Sequence, residues 1–374
     1  MKLIKIFLQC TLIGLLLGSC IQDEAPNAEA DITNILFQED VLANSYIDLN
    51  PPYNETLKAY PIKISVKEGT DLTDLAPIFE LTPGATISPA SGSSQNFTDP
   101  VRYTVTSEDK KWQRIYLITA KEQQASNIPT TYHFEHVRLI KNIYQEFYTE
   151  ENGEELTWAS GNAGFNFAMS EAKTDEYPTV QYAHGKVGKC AKLETRTTGE
   201  LGAMVKMPIA AGNLFIGSFN MLNAITSPLT ATRFGVPFYN KPTRLIGYYK
   251  YKAGEKFYEN GGYTNRKDMF NIYAIFYETS KGTDMLDGNL ANEDYNSPNM
   301  VALALISNPH ETDEWEFFDI PFDYKRYGKT IDEVKLANGG YKVSIIFASS
   351  KDGALFQGAP GSTLLVDEVE LIYE

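Results

Sequence analysis

The stretch Asn271-Ile-Tyr-Ala-Ile-Phe-Tyr277 decides the fold. Aromatic and β-branched residues favour strands, and a short run of this kind is strand-sized. It is apolar on both faces, so both faces must be covered, as in the middle of a sandwich. Working outward, residues 245–251, 300–306, 315–322, 341–347 and 363–373 read as further strands. Residues 132–137 open the series as a strand, and the long segment 278–299 reads as a connecting loop. Strands in this number, with little helix between them, predict that residues 131–374 form a jelly roll of two sheets packed face to face.

An independent β unit precedes it. Tyr60, Ile62, Ile64 and Val66 alternate with Pro61, Lys63, Ser65 and Lys67, the period-two pattern of a strand with one wet face. Val101, Tyr103 and Val105 repeat it, and Ile115 and Leu117 share one face of the strand after Trp112. Turn chemistry at Glu68-Gly69, Pro83-Gly84, Ser91-Gly92 and Asp99-Pro100 separates the runs. Residues 31–122 are therefore expected to form a small β-sandwich. Residues 123–130 are polar, end in proline and read as the linker. Residues 20–30 lack periodicity and read as a tether.

The beginning of the chain has the layout of an export signal. Lys2 and Lys5 precede an apolar run that ends at Leu17-Gly18-Ser19-Cys20. The run is shorter than the roughly 20 residues a spanning helix needs. It resembles a lipobox, which implies that residues 1–19 are removed and Cys20 carries lipid. An ordinary signal peptide with an incidental cysteine is the alternative. Asp23-Glu24 after the cysteine resembles the surface-export signal of Bacteroidota lipoproteins. The expected address is therefore the outer membrane, at the cell surface, with lipid as the membrane anchor. A merely hydrophilic tether is the plainer explanation of the acidic pair.

The formal net charge is −15, and losing Lys2 and Lys5 would take it from −15 to −17. An acidic chain lacks the basic footprint that nucleic acid requires, so no nucleic-acid partner is expected. Three cysteines are present. Cys10 leaves with the signal and Cys20 is lipidated, so Cys190 has no internal disulfide partner. A lone cysteine of this kind is more often a small core residue than a nucleophile.

Two resemblances add to this reading. Gly69-Thr-Asp-Leu-Thr-Asp-Leu-Ala-Pro77, with Ser91-Gly92 and Val101-Arg-Tyr-Thr-Val105, resembles the immunoglobulin-like spacer domain near the N-termini of such lipoproteins. The second region carries Gly161-Asn-Ala-Gly-Phe165, Gly188-Lys-Cys-Ala-Lys-Leu-Glu-Thr195 and Ala211-Gly-Asn-Leu-Phe-Ile-Gly217. It continues with Ala231-Thr-Arg-Phe-Gly-Val-Pro-Phe238, Gly247-Tyr-Tyr-Lys-Tyr-Lys-Ala-Gly254 and Gly361-Ser-Thr-Leu-Leu-Val-Asp-Glu-Val-Glu-Leu371. These residues resemble the PCMD family, named for carbohydrate metabolism. The resemblance implies a jelly roll akin to carbohydrate-binding modules and a glycan partner. It carries no catalytic residue set.

Sugar binders stack pyranose rings on exposed aromatics. Trp158 and Tyr248 are the candidate platforms, with Arg233 and Arg244 as candidate partners for hydroxyls. Core packing or structural pairing is the alternative for each. Leu365, Asp367, Val369 and Leu371 share one face of the last strand by strict alternation, which would place a carboxylate among core residues. Such a charge needs a partner. Carbohydrate-binding modules often hold a structural Ca²⁺ between first and last strands, which makes Glu135 and Asp367 its candidate ligands and Ca²⁺ the one candidate cofactor. The alternative is an Asp bonded to backbone N–H groups. His133 and His136 point to opposite faces of a strand and make a poor joint metal site. Glu150-Glu151, Glu154-Glu155 and the acidic run 311–316 read as solvated loops. The function expected is glycan binding at the cell surface. A glycoside hydrolase and a structural or adhesive protein are the alternatives.

Overall fold

The structure is a computed structural model and describes residues 25–43, 45–123 and 126–374. The expected signal segment and Cys20 lie outside the described residues. The chain divides into two units, the second beginning at Ala125. Among the described residues, no helix is long and apolar enough to cross a membrane.

In the first unit, Tyr60–Lys67 runs parallel to Gln113–Gln123. Val101–Thr106 pairs antiparallel to the latter, and Thr86–Ser88 completes this sheet. Ile32–Leu36 and Ile78–Leu81 form a second, antiparallel pair. The core joins both sheets through Ile32, Ile35, Ile64, Val66, Phe79 and Tyr103. The alternation holds on Tyr60–Lys67, where Ile62, Ile64 and Val66 are buried and Lys63 and Lys67 exposed. On Gln113–Gln123 the buried face is Tyr116, Ile118 and Ala120, and Ile115 and Leu117 lie on the other face. Register is the reason. Tyr116 pairs with Tyr60, Ile118 with Ile62 and Ala120 with Ile64, and a one-residue slip would turn every side chain over.

The second unit is also built from two sheets. The larger runs in the order Met300–Leu305, Asn271–Glu278, Tyr341–Ala348, Asn213–Phe219, Glu154–Ala159, Tyr144–Glu151, His136–Ile140. The smaller runs Thr179–Tyr182, Cys190–Glu194, Thr363–Tyr373, Pro242–Lys252, Thr312–Pro321, with Thr131–Tyr132 also on Thr363–Tyr373. Their inner faces share one core that includes Trp158, Phe347, Tyr249, Phe318 and Leu371. The chain is thus all-β, as its sequence pattern predicts. The expected first strand is divided. Thr131–Tyr132 belongs to the smaller sheet and His136–Ile140 to the larger. Phe134 lies between them, buried, with φ +53°. Glu150 and Glu155 face each other across a hairpin of two strands rather than lying in a loop.

Asn271–Glu278 is buried along nearly its whole length. Ile272, Ala274 and Phe276 face the shared core. Tyr273, Ile275 and Tyr277 face away from it and pack with Phe234, Leu286, Leu290 and Tyr295. This cover comes largely from the segment expected to be a plain loop, which contains Leu286–Asp287 and the short helix Asn289–Asn292. Polar atoms under the cover are satisfied. The Tyr277 hydroxyl donates to the Phe234 carbonyl at 2.6 Å, and Asn271 Nδ2 donates to the Tyr295 hydroxyl at 2.9 Å.

Thr363–Tyr373 departs from strict alternation. Ile246 pairs with Glu370 but Tyr248 pairs with Asp367, so the last strand carries one extra residue there. Glu368 takes φ +48°, the mark of a β-bulge. Leu364 and Val366 face the core before it, and Val369, Leu371 and Tyr373 after it. The expected inward set of Leu365 with Asp367 is therefore on the outer side of the sheet.

Candidate functional site

The strand Pro242–Lys252 buries Leu245, Tyr249 and Tyr251 and turns Tyr248 and Lys250 outward. Its neighbour Thr312–Pro321 buries Phe318 and Ile320 and turns Trp315, Phe317 and Asp319 outward. Tyr248 and Phe317 are directly paired in register, and their ring centroids are 5.3 Å apart. Phe317 is 48% exposed. Trp315 is half-buried, with Lys250 Nζ 5.5 Å from its ring. Together these rings form an aromatic strip on the outer face of the smaller sheet.

A cleft of about 430 Å³ adjoins the strip, lined by Phe317, Glu316, Asp319, Asp323, His310 and Arg326 among others. It lies along the edges of Met300–Leu305 and Thr312–Pro321. His310 Nε2 is 2.8 Å from Glu316 Oε2, and its Nδ1 is 2.9 Å from the Asn308 carbonyl. First that carbonyl and then the Glu316 carboxylate raise the imidazole's pKa. Acceptors at both nitrogens favour the imidazolium. Asp319 Oδ1 accepts from Arg244 Nε at 2.6 Å. The cleft thus offers carboxylate acceptors and cationic donors beside an apolar ring face, the two kinds of contact a sugar ring uses.

The residues expected from the sequence divide. Tyr248 lies in the strip, half-buried, with Lys186 Nζ 4.8 Å from its ring. Arg244 reaches the site through its pair with Asp319. Arg233 is exposed but belongs to Thr232–Phe234, which pairs with the other sheet. Trp158 is not a platform. It sits on the strand Glu154–Ala159, is 1% exposed, and packs on Tyr132, Phe134 and Phe347. Phe317, Asp319, Asp323 and Arg326 were not singled out, His310 reads as isolated in sequence, and Glu316, expected in a solvated acidic loop, lies on the strand Thr312–Pro321. The alternation Trp315-Glu316-Phe317 was the available signal, but only the register shows that Phe317 abuts Tyr248.

Glu135 and Asp367 do not form a calcium site. Asp367 Oδ2 accepts from the amides of Lys186 and Val187 at 2.7 and 3.0 Å, and its Oδ1 from the Glu368 amide at 2.9 Å. Glu135 Oε1 accepts from the Lys189 amide at 2.7 Å. Amide hydrogens aimed at both carboxylates repel a cation. The two acids hold residues 184–189 closed. A Cβ at Gly188, which has φ +58°, would come within 2.0 Å of Glu135 Oε1, and one at Gly185 within 2.6 Å of Asp367 Oδ2. Burial raises the Asp367 carboxyl to about 6 against these amide bonds. Among the described residues no group of three or more His, Cys, Asp or Glu side chains could hold a metal ion. Cys190 is buried and free; burial pushes its thiol up to about 12, the wrong direction for a nucleophile. Asp268, 1% exposed, is also raised by burial, and it accepts from Ser350 Oγ, Ser362 Oγ and the Ala359 amide at 2.5–2.7 Å.

Residues 133–372 match the family model "Putative carbohydrate metabolism domain", PCMD. The chain belongs to this family. Residues 52–120 match a second model, "SGBP, N-terminal". Two solved structures are similar. A "putative glycoside hydrolase" from Bacteroides thetaiotaomicron is 47% identical, with 94% of this chain and 99% of that chain covered and a TM-score of 0.63. A "putative glycoside hydrolase" from Bacteroides vulgatus is 53% identical, with 67% of this chain and all of that chain (100%) covered and a TM-score of 0.65. The comparison with curated proteins finds no match. The chain thus carries a carbohydrate-related domain behind an SGBP-type N-terminal region.

Proposed function

We propose that this protein is a cell-surface lipoprotein that binds a poly- or oligosaccharide in the cleft beside Tyr248 and Phe317. The observation that carries the reading is the exposed Phe317 ring abutting Tyr248 at the lip of a cleft lined by carboxylates, an imidazole and a guanidinium. An aromatic face takes the C–H face of a sugar ring with little entropy loss, and the polar groups take its hydroxyls. Such a site buries modest area, so affinity is modest and avidity for a polymer supplies the rest. The SGBP match supports the surface address, since the abbreviation stands for surface glycan-binding protein. The anchor in this reading is lipid on Cys20 after removal of residues 1–19, with residues 20–30 as tether, 31–122 as spacer and 131–374 as the binding domain.

Affinity electrophoresis of the protein through gels containing soluble polysaccharides tests the binding. At least one polysaccharide should retard the wild type, and Phe317→Ala and Tyr248→Ala should each abolish retardation with unchanged thermal unfolding. Retention by both stable variants would place the site elsewhere. The anchor is tested by metabolic labelling with palmitate, which Cys20→Ala should abolish. The carboxylates of the cleft and the naming of the two similar structures favour a second reading, glycoside hydrolysis. Release of new reducing ends from a bound polysaccharide, lost in Glu316→Gln or Asp319→Asn, would establish that reading.

A further inference from the structure

On the opposite side of the second unit, the larger sheet's outer face carries a second cavity of about 200 Å³. Its floor is Phe215, Tyr273 and Ile346. Short helices wall it: Asn162–Ala168, Gly199–Met204 and Met221–Thr226. Phe167, Leu201, Val205 and Met221 line it and are also 49, 40, 47 and 41% exposed, so its mouth is apolar as well. Contiguous exposed apolar side chains of this kind mark interaction sites. Packed interiors rarely keep voids larger than a water molecule, and an apolar cavity of about 150 Å³ suffices to hold benzene. Among the described residues that line it, Lys351 is the only one that carries a charge. Its side chain is exposed and has no ion-pair partner among the described residues. In a chain of net charge −15, a lone cation on a largely apolar cavity selects an anion at one end of an apolar ligand.

We propose that this cavity binds an acyl chain, with the chain inside and an anionic head group at Lys351. The proposal does not depend on the glycan reading, because it concerns another face and another ligand class. Burial of each CH₂ is worth a factor of ~4 in affinity. The Lys351 contact is partly exposed and is worth a factor of roughly 2–5.

The test is calorimetric titration of the whole protein with octanoate, decanoate, dodecanoate and dodecanol, the acids below their micelle concentrations and the alcohol below its solubility limit. The expected result is saturable one-to-one binding that tightens about 15-fold from octanoate to decanoate. Lys351→Glu should weaken dodecanoate and leave dodecanol unchanged. Ala224→Trp, which fills the cavity from its helical wall, should abolish both. If that variant does not fold, the chain-length series and Lys351→Glu decide between them. Absence of saturable dodecanoate binding, affinity independent of chain length, or equal loss of acid and alcohol in Lys351→Glu would each overturn the proposal.

Discussion

The two outer faces of the second unit solve opposite problems. On the smaller sheet, Pro242–Lys252 and Thr312–Pro321 alternate, so one side packs and the other meets water. On the larger sheet, Asn271–Glu278 and Tyr341–Ala348 are buried on both sides and need a second layer. That layer is made of short helices and loops that bury Tyr273, Ile275 and Tyr277. The lesson is that a wet face can carry aromatics for a ligand at little cost to folding, whereas on the covered face nearly every ring is structural.

The comparison can be broken by mutation, and the largest effect falls on the covered face. Phe215→Ala removes a fully buried ring that packs edge-to-face on Phe234. It should cost about 3–5 kcal/mol of unfolding free energy in denaturant titration. A loss below about 1 kcal/mol would mean that the second layer is loosely held.

A mid-sized effect tests the hold of Asp367 on the amides of Lys186 and Val187. The folded pKa of Asp367 is raised from 3.8 to about 6. The folded state therefore holds the proton more tightly than the unfolded state. The contribution of Asp367 is greatest below pH 3.8 and is lost as pH rises through about 6. The loss amounts to roughly 3 kcal/mol. Between pH 4 and 6 the wild-type melting temperature should therefore fall relative to that of Asp367→Asn, whose profile lacks this titration. Parallel profiles would show that the amides of residues 184–189 fully offset the burial.

The smallest effect belongs to the strip itself. Phe317→Ala, at a half-exposed position, should change stability by no more than about 1 kcal/mol while removing glycan retention. A loss comparable to that of Phe215→Ala would show that the strip holds the fold together instead of serving a ligand.

The wet face was the legible one. Alternation around Tyr248 reads directly from the sequence and places its ring outward, and the apolar strands 271–277 and 341–347 are equally plain. Trp158 misleads because burial of an isolated aromatic depends on which residues cross beneath it; here Tyr132, Phe134 and Phe347 come from distant parts of the chain. Phe317 and Tyr248 are likewise far apart in sequence and meet only through strand register. His310 and Glu316 are close in sequence, but their approach depends on the irregular register by which Tyr249 pairs with Glu316 and Tyr251 with Thr312. Asp367 was noticed for the right reason, a carboxylate among apolar residues, and assigned to the wrong face because strict period two does not anticipate the bulge at Glu368.

That bulge also sets how the gene can tolerate change in length. A deletion of Glu368 would restore a regular count to the last strand and keep Val366, Val369, Leu371 and Tyr373 on the core face, whereas a deletion elsewhere in the strand would turn part of that set outward. Trimming the exposed tip around Gly282 should be absorbed locally, because a Cβ there would meet nothing within 4 Å. Away from its bulge, the last strand is therefore less permissive of a one-codon loss than the segment 278–299, although both look like ordinary strand-and-loop sequence.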